Sequence, residues 1–420
     1  MKVRIRAGYG YPVKVSIAMN QSFFRAGHLP TLVSAFLYFD VSFMVWVMLG
    51  PLAVFIAKDL HLTPGQKGLM VATPVLAGAA LRIVNGFLAD ILKPRLTGII
   101  MRAIVIAGLL AFWAADTWSF PVMLALGVVL GVAGASFAVA LPLASYWYPK
   151  EHQGTALGIA GAGNSGTVLA ALFAPSLALA FGWHNVIAMA AIPLTLVLVA
   201  FTVLAKDSPN SPARRSLADY AEILKSQDAW WLMAFYSVTF GGFVGLSSFL
   251  PIYFNDQFGL APVNAGYATA ACVFAGSFVR PIGGAIADRV GGVCALTFVY
   301  GLVAVLLMTL SHGVSELTIG LPLIMLTMGT LGAGNGAVFQ IVPQRFARNV
   351  GVVTGLVGAT GGVGGFYLAA SLGYTKQLTG GYGLGFALFA GMSLAALAAL
   401  LVVSPRWRRT FLHRSALAAA

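Results

Sequence analysis

The sequence predicts an all-α integral membrane protein whose twelve transmembrane helices form two pseudo-symmetric halves of six. Composition, span recurrence and an internal repeat carry that prediction. Of 420 residues, 59% are hydrophobic and only 9% are charged, with a mean hydropathy of +0.88, far from the quarter-charged norm of soluble domains. Apolar stretches recur from residue 31 to residue 404, each long enough to cross a bilayer core, which excludes a single-span receptor. LRIVNGFLADIL from Leu81 returns as VRPIGGAIADRVGG from Val279, so that Arg82, Gly86 and Asp90 match Arg280, Gly284 and Asp288 at an offset of 198. Gly154, Gly158 and Gly161 likewise match Gly351, Gly355 and Gly358 at an offset of 197. Parallel repeats about an axis along the membrane normal, with a site between them at the midplane, characterise one transporter class.

Residues 1–30 form a basic tail with Lys2, Arg4, Arg6, Lys14 and Arg25. They lack the continuous apolar core and small-residue cleavage site of a signal peptide. Met19 is an alternative start that would remove residues 1–18. Apolar runs bounded by turn and charge clusters place helix starts near 31, 69, 97, 119, 154 and 184 in a first half, residues 31–205. The polar, proline-punctuated segment KDSPNSPARRSLADYAEILKSQDA is the expected linker, 206–229. Starts near 230, 264, 292, 316, 350 and 383 make up the second half, 230–404, and 405–420 is a second tail.

The net charge of +13 would suggest nucleic acid in a soluble chain, but its distribution gives another cause. With a cytoplasmic amino terminus, twenty of the 25 Lys and Arg residues fall on the inner side, among them Lys93, Arg95, Lys150, Arg214, Arg215, Arg289, Arg345, Arg348, Arg406, Arg408 and Arg409. Only Lys58, Lys67 and Lys376 fall outside, and Arg82 and Arg280 remain within apolar helices. This asymmetry is the positive-inside pattern, and it places both termini on the cytoplasmic side of the cytoplasmic (inner) membrane, without nucleic acid as a partner. Cys272 and Cys294, both in apolar stretches, support neither a disulfide framework nor a thiolate metal site. No metal or other cofactor is expected. There is no His/Glu metal spacing and no nucleophile motif, and GAGNSGTV lacks the lysine of a phosphate loop. The chain is therefore read as a non-enzyme, and as a monomer.

Asp90 and Asp288 should mark the inner face, so an arginine eight residues earlier lies about 12 Å deep at 1.5 Å per residue. A guanidinium at the membrane centre costs roughly 2.5–3.5 kcal/mol on insertion scales. An ion pair or a snorkelling side chain is the structural alternative. The inventory of partners argues against it, because of twelve acidic residues only Asp40 lies well within a span away from the loop motifs. An anionic ligand would complete the pair, and the planar guanidinium fork suits a planar oxyanion better than lysine does. Helices five and eleven carry GTALGIAGAGNSG (Gly154 to Gly166, with Gly163) and GVVTGLVGATGGVGG (Gly351 to Gly365, with Gly361 and Gly362). Such glycines let membrane helices approach closely and suggest a narrow central cavity, or else they are ordinary packing seams. Asn164 within the first seam could hydrogen-bond a small anion.

The motifs Gly86 to Asp90 and Gly284 to Asp288, the latter followed by Arg289 and Gly291, resemble the signature loops of the major facilitator superfamily. The two glycine-rich segments, together with RPIGGAIADRVGG, AFLYFDVSFMVWVMLGPL and FYSVTFGGFVG, resemble the nitrate/nitrite porter (NarK-like) branch of that superfamily. The resemblance implies its fold, nitrate and nitrite as substrates in alternating access, and an anion clamped by Arg82 and Arg280 with a hydrogen bond from Asn164. It further implies that Tyr236, Phe240 and Phe137 line the substrate cavity; by spacing alone these aromatics would be packing residues. The repeat partner of Asn164 is Gly361, so no polar ligand is expected there.

Every histidine falls in an expected loop or tail, which leaves Asp40 in helix one as the candidate for proton coupling, or else a structural partner for an arginine or a polar helix contact. The resembling family includes nitrate/proton symport and nitrate/nitrite exchange, and the Asp40 pattern is more like the symport branch. Another small or organic anion such as formate, oxalate or a sugar phosphate, and a non-transporting sensor on the same fold, are the alternatives.

Overall fold

The computed structural model describes residues 23–209, 217–346 and 350–412. Twelve helices in it are long and apolar enough to cross a membrane. The first half contains α1 (Leu29–Asp59), α2 (Pro64–Leu92), α3 (Pro94–Ala115), α4 (Phe120–Ser145), α5 (Thr155–Phe181) and α6 (Trp183–Leu204). The second contains α7 (Gln227–Phe258), α8 (Pro262–Val290), α9 (Gly292–Ser311), α10 (Leu317–Arg345), α11 (Gly351–Thr379) and α12 (Gly383–Leu412). Every start lies within five residues of its expected position. The linker differs in one respect: it carries a short helix, Leu217–Leu224, and α7 begins three residues early at Gln227. Arg214, Arg215, Arg348 and Met19 lie outside the described residues.

Local chemistry sets the helix ends. Pro64 opens α2 behind a reciprocal cap, in which Thr63 Oγ1 accepts from Gln66 N and Gln66 Oε1 accepts from Thr63 N. At α1, His28 Nδ1 accepts from Thr31 N. Burial, and then Lys206, hold His28 below its ordinary range, which favours the neutral ring that accepting requires. The repeat extends to the turns. Lys93 between α2 and α3, and Gly291 between α8 and α9, have φ of 69° and 88° with ψ of 151° and 138°. Glycine adopts this backbone freely, whereas at Lys93 it carries strain.

One expectation is corrected. Arg102, counted among the inner-side basic residues, is inside α3 and only 2% exposed. Apolar helices thus hold a third arginine, leaving nineteen on the inner side. Asp228, expected in the linker, is the buried opening of α7 and accepts from Arg345, Arg406 and Trp407.

The halves meet where α1 packs on α7, with a Cβ on Gly50 set to strike the Ser248 carbonyl oxygen, and along two flanking seams, α2 against α11 and α5 against α8. Both are closed on the face opposite the termini. A Cβ on Gly68 would fall 2.9 Å from Gly373 Cα, and one on Gly266 would fall 2.5 Å from the Ala171 carbonyl oxygen. Lys67 Nζ pairs with Asp256 at 3.4 Å, the one ion pair between the halves among the described residues. Tyr382 donates to Asp256 at 2.8 Å, and Gln377 accepts from Gly65 N at 3.0 Å. Burial and the adjacent Asp256 push the Tyr382 hydroxyl well above its ordinary range, so it remains a donor. On the terminal face the seams part, and a Cβ on Gly158, Gly161 or Gly355 would meet nothing within 4 Å.

This difference is measurable. Gly68→Val should cost about 1–3 kcal/mol of overpacking and lower the melting temperature in detergent, whereas Gly158→Val should melt close to the parent. Equal losses would contradict the closed and open halves of the seams.

Candidate functional site

A cavity of about 1380 Å³ separates the halves and opens on the terminal face. Its mouth is lined by Asp90, Lys93, Tyr146, Gln153 and Asp288, with the repeat glycines Gly86 and Gly284. Arg289, next in the second loop motif, is exposed. Further in, the walls carry Arg82, Phe137, Asn164 and Arg280. The expected narrow cavity is therefore a wide funnel, because Gly158, Gly161 and Gly355 face its opening and not a partner helix, and Gly351 lines it with them. Gly154 is in the same helix as Gly158.

Arg82 is 2% exposed and meets no carboxylate among the described residues. Helix α4 breaks after Gly134, and Arg82 Nε donates to the Gly134 carbonyl at 3.2 Å. Its Nη1 donates to the Gly358 carbonyl in the other half at 2.5 Å, while Nη2 is buried without a partner. Aromatic rings surround the charge: Trp46, Phe240, Phe137 and Phe43 have centroids 5.3, 5.3, 5.4 and 5.9 Å from Cζ. Ring quadrupoles and carbonyl dipoles soften the desolvation of a guanidinium but leave its net charge uncancelled.

Arg280 enters from α8, with its Cζ 5.8 Å from the Phe339 ring centroid. Tyr236 on α7 lies close to both arginines. It stacks on Phe240, one turn on, at 5.1 Å, and meets Phe339 edge-on at 4.9 Å. This pair explains Gly361, since a Cβ there would fall 2.7 Å from Phe240 Cδ1 and 2.9 Å from Tyr236 Cδ1. Glycine at the repeat partner of Asn164 makes room for the aromatic pair. Gly362 and Gly365 pack on Ala79 and Val75 of α2, closing the midplane behind it.

Asn164 lies in a 3₁₀ turn, Ala162–Ser165, that interrupts α5 and presents it to the cavity. Gly163 and Gly166 on the same segment pack against the Asp40 backbone of α1. The Asp40 side chain is buried and accepts from Ser165 Oγ at 2.7 Å. It makes no ion pair among the described residues, so the arginine-partner alternative for it is not seen. Ser165 itself lines the cavity, one hydroxyl from Asp40.

Sequence reasoning missed three buried polar groups. Arg102 Nη2 donates to the Tyr38 carbonyl and to Ser42 Oγ, at 2.5 and 2.7 Å, with Cζ 4.2 Å from the Tyr38 ring centroid. Its contacts stay within the first half, and it does not line the cavity. Ser277 and Asn335, by contrast, do line it. Their only signal in the sequence is a polar residue in an otherwise small and apolar helix.

The family profile of the Major Facilitator Superfamily matches residues 35–369. The chain is 34% identical over 373 residues to a nitrite extrusion protein of Bacillus subtilis (strain 168), covering 87% of this chain and 91% of that one. It is 34% identical over 376 residues to the probable nitrate/nitrite transporter NarK2 of Mycobacterium tuberculosis, covering 88% and 95%. It is 30% identical over 361 residues to the probable nitrate transporter NarT of Staphylococcus epidermidis, covering 86% and 92%. Among solved structures, a bacterial homolog of the human lysosomal transporter Spinster, in an inward-facing and occupied conformation, aligns with a TM-score of 0.64 at 18% identity. That alignment covers 91% of this chain and 97% of the other, and it supports the fold alone.

The third arginine yields a prediction. Arg102→Met removes a buried charge that has no counter-ion among the described residues and keeps much of its volume, so the melting temperature should stay at or above that of the parent. A large fall would mean that its bonds to α1 hold the first half together.

Proposed function

The chain belongs to the major facilitator superfamily, in its nitrate/nitrite porter branch, and we propose that it carries nitrate, and also nitrite, through the cytoplasmic membrane by alternating access. It is a multi-pass anion transporter and not an enzyme. The observation that carries the proposal is the pair Arg82 and Arg280. One comes from each half, both line the same cavity, and neither has a carboxylate partner among the described residues.

A small planar anion supplies the missing charge and fits the guanidinium forks. Phe137 lines the cavity, whereas Phe240 and Tyr236 are buried behind its wall in this structure; the three would form apolar walls around the anion, and Asn164 would add a donor from α5. Such walls favour an anion whose charge is spread over several oxygens, because little hydration is lost on entry. A sugar phosphate, with its concentrated charge and hydroxyls, would leave polar groups unmatched against those rings. The positive-inside bias puts the terminal face, and the funnel mouth, in the cytoplasm. Alternating access would then close Gly158 and Gly161 toward α8 and Gly355 toward α2, while the Lys67–Asp256 latch opens. Binding by both halves gives the anion differential affinity for the state in which they converge.

Proton symport is the coupling we favour. Asp40 would receive a proton from the cavity through Ser165, which donates to it at 2.7 Å. Nitrate/nitrite exchange is the second reading, favoured by the likeness to a nitrite extrusion protein.

Two measurements in proteoliposomes test this account. Arg82→Lys and Arg280→Lys keep the charge and lose the planar fork, and each should reduce nitrate uptake by about tenfold or more; near-parental uptake would remove that arginine from the site. Asp40→Asn should abolish nitrate accumulation driven by an imposed proton gradient while sparing exchange against internal nitrite. Proton-driven accumulation that survives would remove Asp40 from the coupling path, and a parent that shows none would leave exchange as the mechanism.

A further inference from the structure

The cavity wall on the Arg280 side carries two polar groups without a partner among the described residues. Asn335 on α10 is 1% exposed and its Oδ1 has no hydrogen-bond partner; Ser277 on α8 is 7% exposed and its Oγ has none. Both line the cavity with Arg280. Leaving a buried polar atom unpaired is costly, and it is tolerated where a ligand will pair it.

The packing of α8 on α10 fixes where these groups lie. A Cβ on Gly332 would strike the Gly276 carbonyl, and one on Gly336 would strike the carbonyl of Arg280 and approach Gly284 N. These contacts bracket Asn335 on α10 and Ser277 on α8. Asn335 and Arg280 each lie ten residues before the terminal-face ends of their helices, Arg345 and Val290, so they share a depth in the membrane. One turn beyond Asn335 is Phe339, the ring under the Arg280 guanidinium. Ser277 is one turn before Arg280 on α8.

We infer that Asn335, assisted by Ser277, is the second half's own polar contact to the transported anion, and that it sets the preference for nitrate over nitrite. This rests on the nitrate/nitrite reading above. A half-turn of the carboxamide exchanges its oxygen and nitrogen within the same volume, so Asn335 can offer two N–H donors to the cavity; the Ser277 hydroxyl can rotate to do likewise. The repeat makes the arrangement crosswise. Asn335 corresponds to Phe137 at the offset of 198, and Asn164 corresponds to Gly361 at 197. Each half therefore supplies one asparagine to the cavity wall, from helices that are not equivalent. Nitrate has three oxygens to satisfy and nitrite has two. A donor beyond the arginines and Asn164 is of most use to the third oxygen, and a site built to hydrogen-bond a group discriminates against the ligand that lacks it.

The test is equilibrium binding of nitrate and of nitrite to the purified full chain in detergent, for the parent, Asn335→Ala and Ser277→Ala. The parent should bind both anions. Asn335→Ala should weaken nitrate by about tenfold and nitrite much less, so that the affinity ratio moves toward nitrite. Ser277→Ala should shift the ratio the same way by a smaller factor, and this milder change carries the test if Asn335→Ala does not yield folded protein. A ratio unchanged in the folded variants would overturn the assignment and leave the nitrate/nitrite reading standing. A parent that binds neither anion would overturn that reading and this assignment together.

Discussion

Positive charge without a counter-ion in an apolar bundle is the constraint on which the rest of this structure depends. A guanidinium moved from water into hydrocarbon needs compensation, and a carboxylate partner would supply it only by cancelling the charge that a transported anion must find. Arg82 is instead compensated by neutral groups. Two backbone carbonyls accept from it, and four aromatic rings surround it. One of those carbonyls is at Gly134, where α4 is interrupted. Non-helical backbone is admissible at membrane depth when its polar groups find partners inside the protein, and here break and arginine satisfy one another.

The two halves share a plan and divide the chemistry. Arg82 and Arg280 are repeat partners, as are the turns at Lys93 and Gly291. Around the arginines the equivalence ends. The first half breaks α1, α4 and α5 near the cavity, whereas α7, α8 and α10 of the second run unbroken. The aromatic pair Tyr236 and Phe240 stands where α11 has Gly361, and an asparagine in that place would collide with both rings. Asymmetry in the walls thus follows from packing as much as from ligand chemistry. An anion between the halves meets two similar charges set in two different surfaces.

The fold was legible in the sequence because its signals are long: a span of twenty apolar residues or a repeat at 198 survives errors of several residues at each boundary. Arg82 and Arg280 were legible for the same reason, since the repeated motifs placed them at a common depth. Arg102 was not, because it lies eight residues beyond Pro94 in a helix whose start was placed at 97, so it counted as an interfacial charge. The glycines of α5 and α11 signalled close approach correctly, but the sequence does not say in which conformation the approach occurs. Gly163 and Gly166 touch α1 in this state, while Gly158 and Gly161 face an open funnel. Asn335 carried no periodic or motif signal at all.

Arg82 and Arg102 show why burial of a charge does not by itself mark a site. Both are 2% exposed, both donate to backbone carbonyls, both lie against aromatic rings, and both keep one buried terminal nitrogen without a partner. They differ in what surrounds those contacts. Arg102 binds the Tyr38 carbonyl and Ser42 Oγ across α1 and α3, within one half, and those helices have no reason to part as the halves move. Its repeat partner is Tyr300, whose hydroxyl donates to the Phe235 carbonyl across α7 and α9, so the neutral residue makes the equivalent bond. Charge is therefore incidental to the role of Arg102. Arg82 reaches across the boundary between the halves to Gly358, and it lines the space between them. In the proposed alternating access its bond would break or shift as α2 and α11 move relative to each other, which would make its environment in one state different from that in the other. A ligand shifts a conformational equilibrium only through contacts that differ between states, and of these two arginines only Arg82 is placed to provide them.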